Sequence, residues 1–347
     1  MNAQIAVLLG QDGISNGAIY ALLALSIVLV FTVTRVLLIP QGEFVSYGAL
    51  TMAAIQAGQP SAIVWLLALL CAGSAAVDVA QVLMRSERAP ALRWAFAGKL
   101  LYPLVMIGLV YTLPLATLPM ALQIALTLAL LMPLGPLLYR LVFQPIADAP
   151  ALVLLIVAIA LHVSMVGVGL LVFGPGGAST TPLVDAMVEV GGVRIKGQTL
   201  CVIAVALVLI GALYLLSNRT LYGKALRAAA MNRMGARLMG ISPVFAGKAT
   251  FFLAALVGAM SGVLIAPMTA IYYDSGFIIS LKGFIGSIIG GLVSYPIAAL
   301  GAVAVGLIEA FSAFWASTYK EIIVFTLIIP VLLWLSLTSR RVEEDEA

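Results

Sequence analysis

The sequence predicts an all-α protein, a polytopic bundle of transmembrane helices, and three observations support this fold class. The chain has 347 residues, of which 63% are hydrophobic and only 9% are charged, and its mean hydropathy is +1.17. Soluble domains are about half apolar and about a quarter charged, so an ordinary soluble enzyme, a disordered protein and a disulfide scaffold are excluded. Apolar runs of about 20 residues recur almost to both ends, which predicts a single transmembrane domain over residues 1–347.

The membrane spans are predicted from these runs, since a helix needs about 20 apolar residues to cross the hydrocarbon. They lie at residues 14–34, 42–57, 61–84, 99–118, 120–141, 151–173, 198–217, 244–266, 296–316 and 322–338. The run 283–292 is too short to cross, so we expect a half-helix there that enters the membrane and turns back. The expected bundle has about nine or ten membrane spans and this re-entrant half-helix.

The distribution of Lys and Arg predicts the orientation of the bundle. No Lys or Arg precedes Arg35, which leaves no basic segment for a signal peptide and favours an N-terminus outside the membrane. Fourteen of the 18 basic residues are then cytoplasmic: Arg35, Arg85, Arg88, Arg93, Lys99, Arg140, Arg219, Lys224, Arg227, Arg233, Arg237, Lys248, Arg340 and Arg341. The outer segments hold Arg194, Lys196, Lys282 and Lys320. Residues 283–316 must therefore start and end outside, and the acidic C-terminus is cytoplasmic.

Metal, disulfide and nucleic-acid sites are not expected. Cys71 and Cys201 lie inside apolar runs and His162 is the single histidine, so the residues predict neither a disulfide framework nor a metal site. The net charge of +4 arises in short segments between spans and not in a base-reading module, so we expect no nucleic-acid partner.

The Gly- and Pro-rich segment 174–197 is predicted to be the largest outer loop. Within it, residues 188–190 and 193–195 favour a small β-hairpin around the pair Gly191–Gly192.

The cytoplasmic stretch 217–248 carries six basic residues and no acidic residue. Apolar residues recur at every fourth position, which predicts one amphipathic helix, with Asn218 or Thr220 as its cap. Its apolar face would hold Leu226, Ala230, Met234 and Leu238. Two interpretations stay open from spacing alone: the helix rests on lipid headgroups, or it docks a cytoplasmic partner through small residues that permit close approach.

Ionisable residues inside apolar runs are costly in lipid and are therefore functional candidates. Glu43 either lines a path or pairs locally near Arg35, and Glu309 either makes structural hydrogen bonds or contacts substrate. Asp78 is expected to form a polar contact between helices. For His162 the residues favour a packing role, with gating or proton sensing as the alternative.

Small residues recur in the late Gly-rich stretch, where Gly283, Gly286, Gly290 and Gly291 indicate close helix packing. The compatible functional interpretation is a broken helix whose positive N-terminal end carries Ser280 and Lys282 and suits a substrate carboxylate. Asn16 and Tyr20 lie four residues apart, so they share one helical face, either along a path or as a packing pair.

Three motifs carry a resemblance to a known family: NGAIYALLALSIVLVFTVTRV followed by QGEF, GKALRAAAMNRMGARLMGIS, and ISLKGFIGSIIGGLVSYPIAALGAVAVGLIEA. In this order they resemble the permease subunits of branched-chain amino acid ABC importers of the LivH type. The likeness covers roughly residues 13–60 and 120–338, and residues 61–119 look like an inserted helical hairpin. Leu38, Ile39 and Pro40 depart from the family's usual Asn-Phe-Ala before its Gly-Glu-Phe segment.

The resemblance implies a transport subunit without an ATPase site, in a bacterial inner membrane, and not an enzyme. No G-x-x-x-x-G-K-[ST] motif occurs, so ATP and Mg would bind to partner subunits and this chain would bind no cofactor. The implied partners are a second homologous permease, two cytoplasmic ABC ATPases, a periplasmic substrate-binding protein and the lipid bilayer. The implied substrates are branched-chain amino acids, other small amino acids or similar small polar solutes.

The residue patterns and the resemblance together give the candidate site residues. Segment 218–243 would couple to the ATPases, through Lys224, Ala225, Arg227, Ala228, Ala229, Asn232, Arg233, Ala236, Arg237, Leu238 and Gly240. The translocation path would include Asn16, Tyr20, Gln41, Gly42, Glu43, Phe44, Ser280, Lys282, Gly283, Phe284, Gly286 and Glu309.

The alternative is a stand-alone secondary transporter or channel, coupled to ions or protons. Its coupling residues would be Glu43, Asp78, His162 and Glu309. An intramembrane enzyme is disfavoured, because no paired carboxylates, Ser/His set or metal-spaced cluster stands out among the spans.

Overall fold

A computed structural model describes residues 3–85, 90–190, 193–334 and 337, and it shows a helical bundle with one small β-hairpin. The α-helices are α1 Ala3–Thr34, α2 Gln41–Gln56, α3 Ile63–Arg85, α4 Pro90–Thr112, α5 Met120–Leu131, α6 Leu134–Leu138, α7 Ala151–Phe173, α8 Gly197–Arg219, α9 Leu221–Met231, α10 Arg233–Leu238, α11 Pro243–Ile265, α12 Ser275–Ile289, α13 Tyr295–Trp315 and α14 Lys320–Thr326. A π-helical turn, Tyr139–Phe143, follows α6, and short 3-10 turns lie at Leu115–Thr117, Gln144–Ile146 and Ser317–Tyr319. The hairpin pairs β1 Met187–Val190 with β2 Val193–Lys196.

The all-α membrane fold is confirmed, but the number of spans is smaller than predicted. Within the described residues, eight helices are long and apolar enough to cross a membrane: Gln4–Thr34, Ile63–Gln81, Met120–Ile146, Ala151–Phe173, Gly197–Arg219, Pro243–Ile265, Tyr295–Trp315 and Ser317–Trp334. The predicted span 99–118 is wrong at its end, because α4 stops at Thr112 before a turn at Pro114, and its apolar part is only Gly98–Thr112. The predicted span 42–57 corresponds to α2, whose 16 residues reach about 24 Å, less than the hydrocarbon thickness of about 30 Å.

Helix α2 begins inside the bundle. The side-chain Nε2 of Gln41 donates a hydrogen bond to the carbonyl oxygen of Ala254 at 3.0 Å, and this oxygen lies about 16 Å along α11 from Pro243. Residues 35–40, which are not helical, connect the end of α1 to the start of α2 at the level of Ala254. From there α2 runs beside α11, where the backbone of Val45 and Ala49 lies directly against Gly262.

The short apolar helix in the region of the predicted half-helix is α12, and it differs in extent from the prediction. It starts at Ser275, eight residues before 283, and its 15 residues are again too short for a full crossing. Gly291 (φ 62°) and Leu292 (φ 57°) then turn the chain into α13. Ser280 and Lys282 therefore lie within the helix, and their predicted position at its N-terminal end is wrong. Lys282 forms ion pairs with Glu309 and Glu321. Because these pairs compensate its positive charge, Lys282 can lie inside the helix.

Helix α1 is the central element of the bundle. It packs antiparallel to α13, where Gly17 faces the backbone of Val303, and α12 runs parallel to it, with Ser287 Oγ donating to the carbonyl oxygen of Ala24 at 3.3 Å. Helices α8 and α11 cover further sides of α1. From Ser15 onward α1 is largely enclosed by these helices, and a helix enclosed on all sides must be apolar all round, which explains its continuous hydrophobic sequence.

The two ends of the bundle differ in character. One end, called here the basic face, carries α9 and α10 together with the end of α1 and the start of α11. The other end, called the opposite face, carries the hairpin, whose pairing of Val190 with Val193 confirms the predicted register; its turn, Gly191–Gly192, lies outside the described residues. Arg88, Arg340 and Arg341, which were counted for the orientation, also lie outside them.

Substitution of Gly262 tests the close contact between α2 and α11. A Cβ atom at Gly262 would meet backbone atoms of Val45 and Ala49. We expect Gly262→Val to lower the free energy of unfolding by about 1–3 kcal/mol, measured by thermal unfolding of the protein in detergent. Gly211→Val is the matched control, because nothing lies within 4 Å of its Cβ position. Equal stability of the two variants would contradict the packing described.

Candidate translocation and coupling sites

A cavity of about 750 Å³ opens near the opposite face. It is bounded by α1, the start of α8, the connection from α11 to α12, and parts of α12 and α13. Four of the predicted path residues line it together: Asn16, Tyr20, Lys282 and Glu309. The structure thus brings together residues that are up to 293 positions apart in the chain, counted from Asn16 to Glu309.

The floor of this cavity is a buried cluster of charged and hydrogen-bonded side chains. The hydroxyl of Tyr20 donates to Glu309 Oε2 at 2.6 Å, and Lys282 Nζ donates to Glu309 Oε1 at 2.6 Å. Lys282 Nζ also donates to Glu321 Oε1 at 3.2 Å. Tyr20, Lys282 and Glu309 are buried, while Glu321 is partly exposed.

The charge balance of this cluster changes the role expected for Lys282. Two carboxylates, Glu309 and Glu321, surround one ammonium group, which leaves one excess negative charge when all three are ionised. Lys282 is therefore already paired and is not a free cation for a substrate carboxylate. Glu321 was not among the predicted site residues, although it stands next to Lys320 as the one acidic residue at the start of the last apolar run.

A second polar pair lies near the starts of α2 and α12. His162 Nδ1 is 2.7 Å from Glu43 Oε1, and the imidazole stacks on Phe277 with ring centroids 4.3 Å apart. Glu43 pairs with His162 of α7 and not with Arg35. His162 also lines an apolar cavity of about 510 Å³ together with the predicted path residues Ser280 and Phe284.

The remaining predicted path residues are buried in helix contacts. Gln41 bonds to α11, Gly42 lies against the backbone of Gly276, and Phe44 belongs to a buried apolar cluster. Gly283 approaches Leu23 and Tyr20, and Gly286 approaches Ala302. The close-packing interpretation is thus confirmed for both glycines.

Asp78 makes the polar contact between helices that the sequence predicts. Its carboxylate pairs with Lys99 of α4 and with Arg140 of the π-helical turn after α6. Each acidic residue proposed for ion coupling therefore has its own basic partner in a separate place: Glu43 with His162, Asp78 with Lys99 and Arg140, and Glu309 with Lys282.

The predicted amphipathic helix on the basic face consists of two helices. The Thr220 hydroxyl accepts a hydrogen bond from the Gly223 N–H at 3.0 Å and caps α9, as one of the two predicted caps. Asn232 separates the helices, because its side chain accepts from the Gly235 N–H at 2.8 Å and caps α10. Sequence periodicity did not reveal this internal cap.

The break changes which side chains are buried. Leu226, Ala229 and Ala236 pack with Val33 of α1 and Ala246 of α11. The predicted continuous apolar face is therefore wrong, because Leu226 and Ala230 lie on α9 while Met234 and Leu238 lie on α10, where they are 67% and 82% exposed. Ala229 and Ala236 contact this chain's own helices and do not offer a surface to a partner.

The outer surface of α9 and α10 combines apolar and basic side chains. Of the predicted coupling residues, Lys224, Arg227, Asn232, Arg237, Leu238 and Gly240 are exposed, and Ala225 and Ala228 are half-buried. The side chain of Arg233 lies outside the described residues. Met231 and Met239 are also exposed beside this set, at 87% and 81%. We call the exposed residues of α9 and α10, with Met239, the coupling surface.

These features define a multi-pass helical membrane protein with a polar cavity at one face and a helix pair on the surface of the other. Residues 11–332 match the family described as branched-chain amino acid transport system, permease component, and the chain belongs to this family. The resemblance stated from the motifs is thereby confirmed.

Individual relatives agree with this assignment. The chain is 30% identical over 148 residues to the high-affinity branched-chain amino acid transport system permease protein BraD of Pseudomonas aeruginosa, which covers 42% of this chain and 48% of BraD. It is 28% identical over 201 residues to the permease protein LivH of the corresponding system of Escherichia coli and to that of Salmonella typhimurium, covering 56% of this chain and 65% of each relative. The chain therefore spans less than two-thirds of the length of these relatives. Their names describe permease components of transport systems, which are transport proteins and not enzymes, and none of them describes a stand-alone transporter.

Replacement of Glu309 tests the buried cluster. Glu309→Gln removes the carboxylate that pairs with Lys282 and leaves a buried ammonium short of one partner, so we expect a loss of about 3–5 kcal/mol in the free energy of unfolding. Glu321→Gln is the matched control, and its loss should stay within about 1 kcal/mol because this more exposed carboxylate is 3.2 Å from Lys282. Thermal unfolding in detergent measures both, and a Glu309→Gln variant as stable as the unmodified protein contradicts the cluster's structural role.

Proposed function

We propose that this chain is the permease subunit of an ATP-driven importer for branched-chain or other small amino acids, or similarly small polar solutes. The family and the names of the relatives support this class of substrate. The chain contributes the translocation path, while ATP and Mg bind to two partner ATPases. A second homologous permease forms the other side of the path.

The observation that carries this proposal is the coupling surface on α9 and α10. Methionine and leucine side chains that are more than 80% exposed, such as Met231 and Leu238, lie beside Arg227 and Arg237. Exposed apolar groups beside polar ones mark interaction sites, and Met and Arg are enriched in protein interfaces. A cytoplasmic ATPase fits this surface.

The buried side of α9 and α10 supplies a mechanical connection. Leu226 and Ala229 pack against Val33 at the end of α1, and Ala236 packs near Ala246 at the start of α11. A partner that moves this helix pair as a rigid body therefore moves the ends of two helices that bound the cavity. This arrangement supports a coupling role for segment 218–243.

The cavity on the opposite face suits an amphoteric solute. Its lining carries three carboxylates and three cations, with Glu309 beside Lys282 on the floor, so that each charged group of such a solute finds a group of opposite sign. Its rim carries the cations Lys196 and Lys320 together with the carboxylates Asp12 and Asp185. We assign to this cavity the entry of an amino acid delivered by a periplasmic binding protein.

The orientation follows from the same two faces. The basic face would be cytoplasmic by the positive-inside rule, with the N-terminus outside, the C-terminus inside and the cavity open to the periplasm of a bacterial inner membrane. Helices α3 and α4 pack side by side, in agreement with a helical hairpin inserted at residues 61–119.

Charges placed on the coupling surface test the proposal. We expect Met231→Asp/Leu238→Asp to weaken binding of the ATPase subunits at least about 30-fold, because each substitution introduces a carboxylate at an apolar interface position. Co-purification of the ATPases with the tagged permease measures binding, and uptake of radiolabelled leucine into cells measures function. Both should be lost.

Met187→Asp is the matched control, since Met187 is 72% exposed on the opposite face. ATPase co-purification should be unchanged in this variant. Membrane fractions must contain all variants in equal amount. Intact ATPase binding by Met231→Asp/Leu238→Asp would overturn the proposed coupling surface.

A further inference from the structure

A groove of about 820 Å³ lies between α3, α4, the stretch from α5 to the π-helical turn, and α11. It is separate from the translocation cavity and from the coupling surface, with which it shares no lining residue. Its walls are mainly apolar and include Leu128, Met132 and Phe252. Ala125 on α5 is exposed at its mouth, so the groove opens sideways, toward the lipid.

Three cationic side chains line this groove: Lys99, Arg140 and Lys248. No acidic residue is among its described lining residues. Asp78 pairs with Lys99 and Arg140 at the edge of the groove, and no described carboxylate pairs with Lys248. The described residues thus leave two positive charges uncompensated between apolar walls, where an unpaired charge is costly.

Unpartnered polar atoms provide a second, independent sign of a missing ligand. Ser74 is fully buried and lines the groove, yet its hydroxyl has no hydrogen-bond partner within the described structure. The Nε of Arg140 is also buried without a partner there. Buried polar groups are normally satisfied, so an acceptor that enters the groove would stabilise both side chains.

The depth of the cations selects the kind of ligand. Lys248 follows Pro243, the first residue of α11 on the basic face, by five positions, which corresponds to about 8 Å along the helix. Arg140 precedes Ile146, the last residue of its span, by six positions, or about 9 Å. The boundary between headgroups and acyl chains lies at about this depth, and basic pockets between transmembrane helices there bind anionic headgroups.

We propose that this groove binds an anionic phospholipid from the leaflet at the basic face. The phosphodiester group accepts hydrogen bonds from Lys248 and from the Arg140 and Ser74 groups that lack a partner. An acyl chain packs along Leu128, Met132 and Phe252. The lipid thus links the hairpin of α3 and α4 to α11, the helix that also contacts α10.

Native mass spectrometry of the full-length, delipidated protein in detergent tests this proposal. Phosphatidylglycerol and phosphatidylcholine with identical acyl chains are titrated separately. We expect phosphatidylglycerol to bind about tenfold more tightly than phosphatidylcholine, and Lys248→Gln to abolish this preference. Lys224→Gln is the matched control, because it removes the same charge from an exposed site on α9, outside the groove, and it should keep the preference.

Two further arms separate a lipid from a free anion and from loss of folding. Ala125→Trp fills the mouth of the groove without changing charge, and it should reduce phosphatidylglycerol binding while thermal stability in lipid-free detergent stays unchanged. Inorganic phosphate at millimolar concentration should not displace the lipid. Displacement by phosphate, equal binding of both lipids, or an unchanged preference in Lys248→Gln would each overturn the proposal.

Discussion

The structure depends on the neutralisation of charge inside an apolar bundle. An unpaired charge within the hydrocarbon is costly, and each of the three acidic side chains that the structure describes as buried lies beside a cation or an imidazole. Glu309 pairs with Lys282, Glu43 pairs with His162, and Asp78 pairs with Lys99 and Arg140. These pairs join α13 to α12, α2 to α7, and α3 to both α4 and the π-helical turn, so the same interactions that permit the charges also fix the positions of the helices.

Small residues bring the helix backbones close enough for these pairs to form. Gly42 and Gly276 are in backbone contact, which sets the starts of α2 and α12 side by side next to the pair of Glu43 and His162. Gly283 lies against Leu23 and Tyr20 of α1, one residue after Lys282. Close packing therefore places Lys282 beside Tyr20 and Glu309. Association of helices in lipid depends on such contacts, because the lipid is as apolar as the side chains.

Local signals in the sequence predicted local structure well. The apolar runs, the Thr220 cap, the hairpin register and the short apolar helix before α13 follow from composition and from neighbouring residues. Contacts between residues that are distant in sequence could not be predicted in this way. His162 and Glu43 are 119 positions apart, and Lys282 and Glu321 are 39 apart, and no periodicity indicates which buried charges meet. The break at Asn232 was missed because a capping side chain inside an amphipathic pattern looks like any other polar position.

Helix α1 connects the two ends of the protein. Val33 packs under α9 and α10, and Tyr20 belongs to the floor of the cavity, 13 residues away or about 20 Å along one continuous helix. Because α1 is enclosed by α8, α11, α12 and α13, it has little room to bend, and a displacement at Val33 must be carried to Tyr20 or absorbed by all of its neighbours together. Packed interfaces of this kind switch between discrete arrangements and do not deform continuously. Because Tyr20 is hydrogen-bonded to Glu309 of α13, we expect α13 to follow α1 and the charged floor of the cavity to respond as a unit to movement at the basic face.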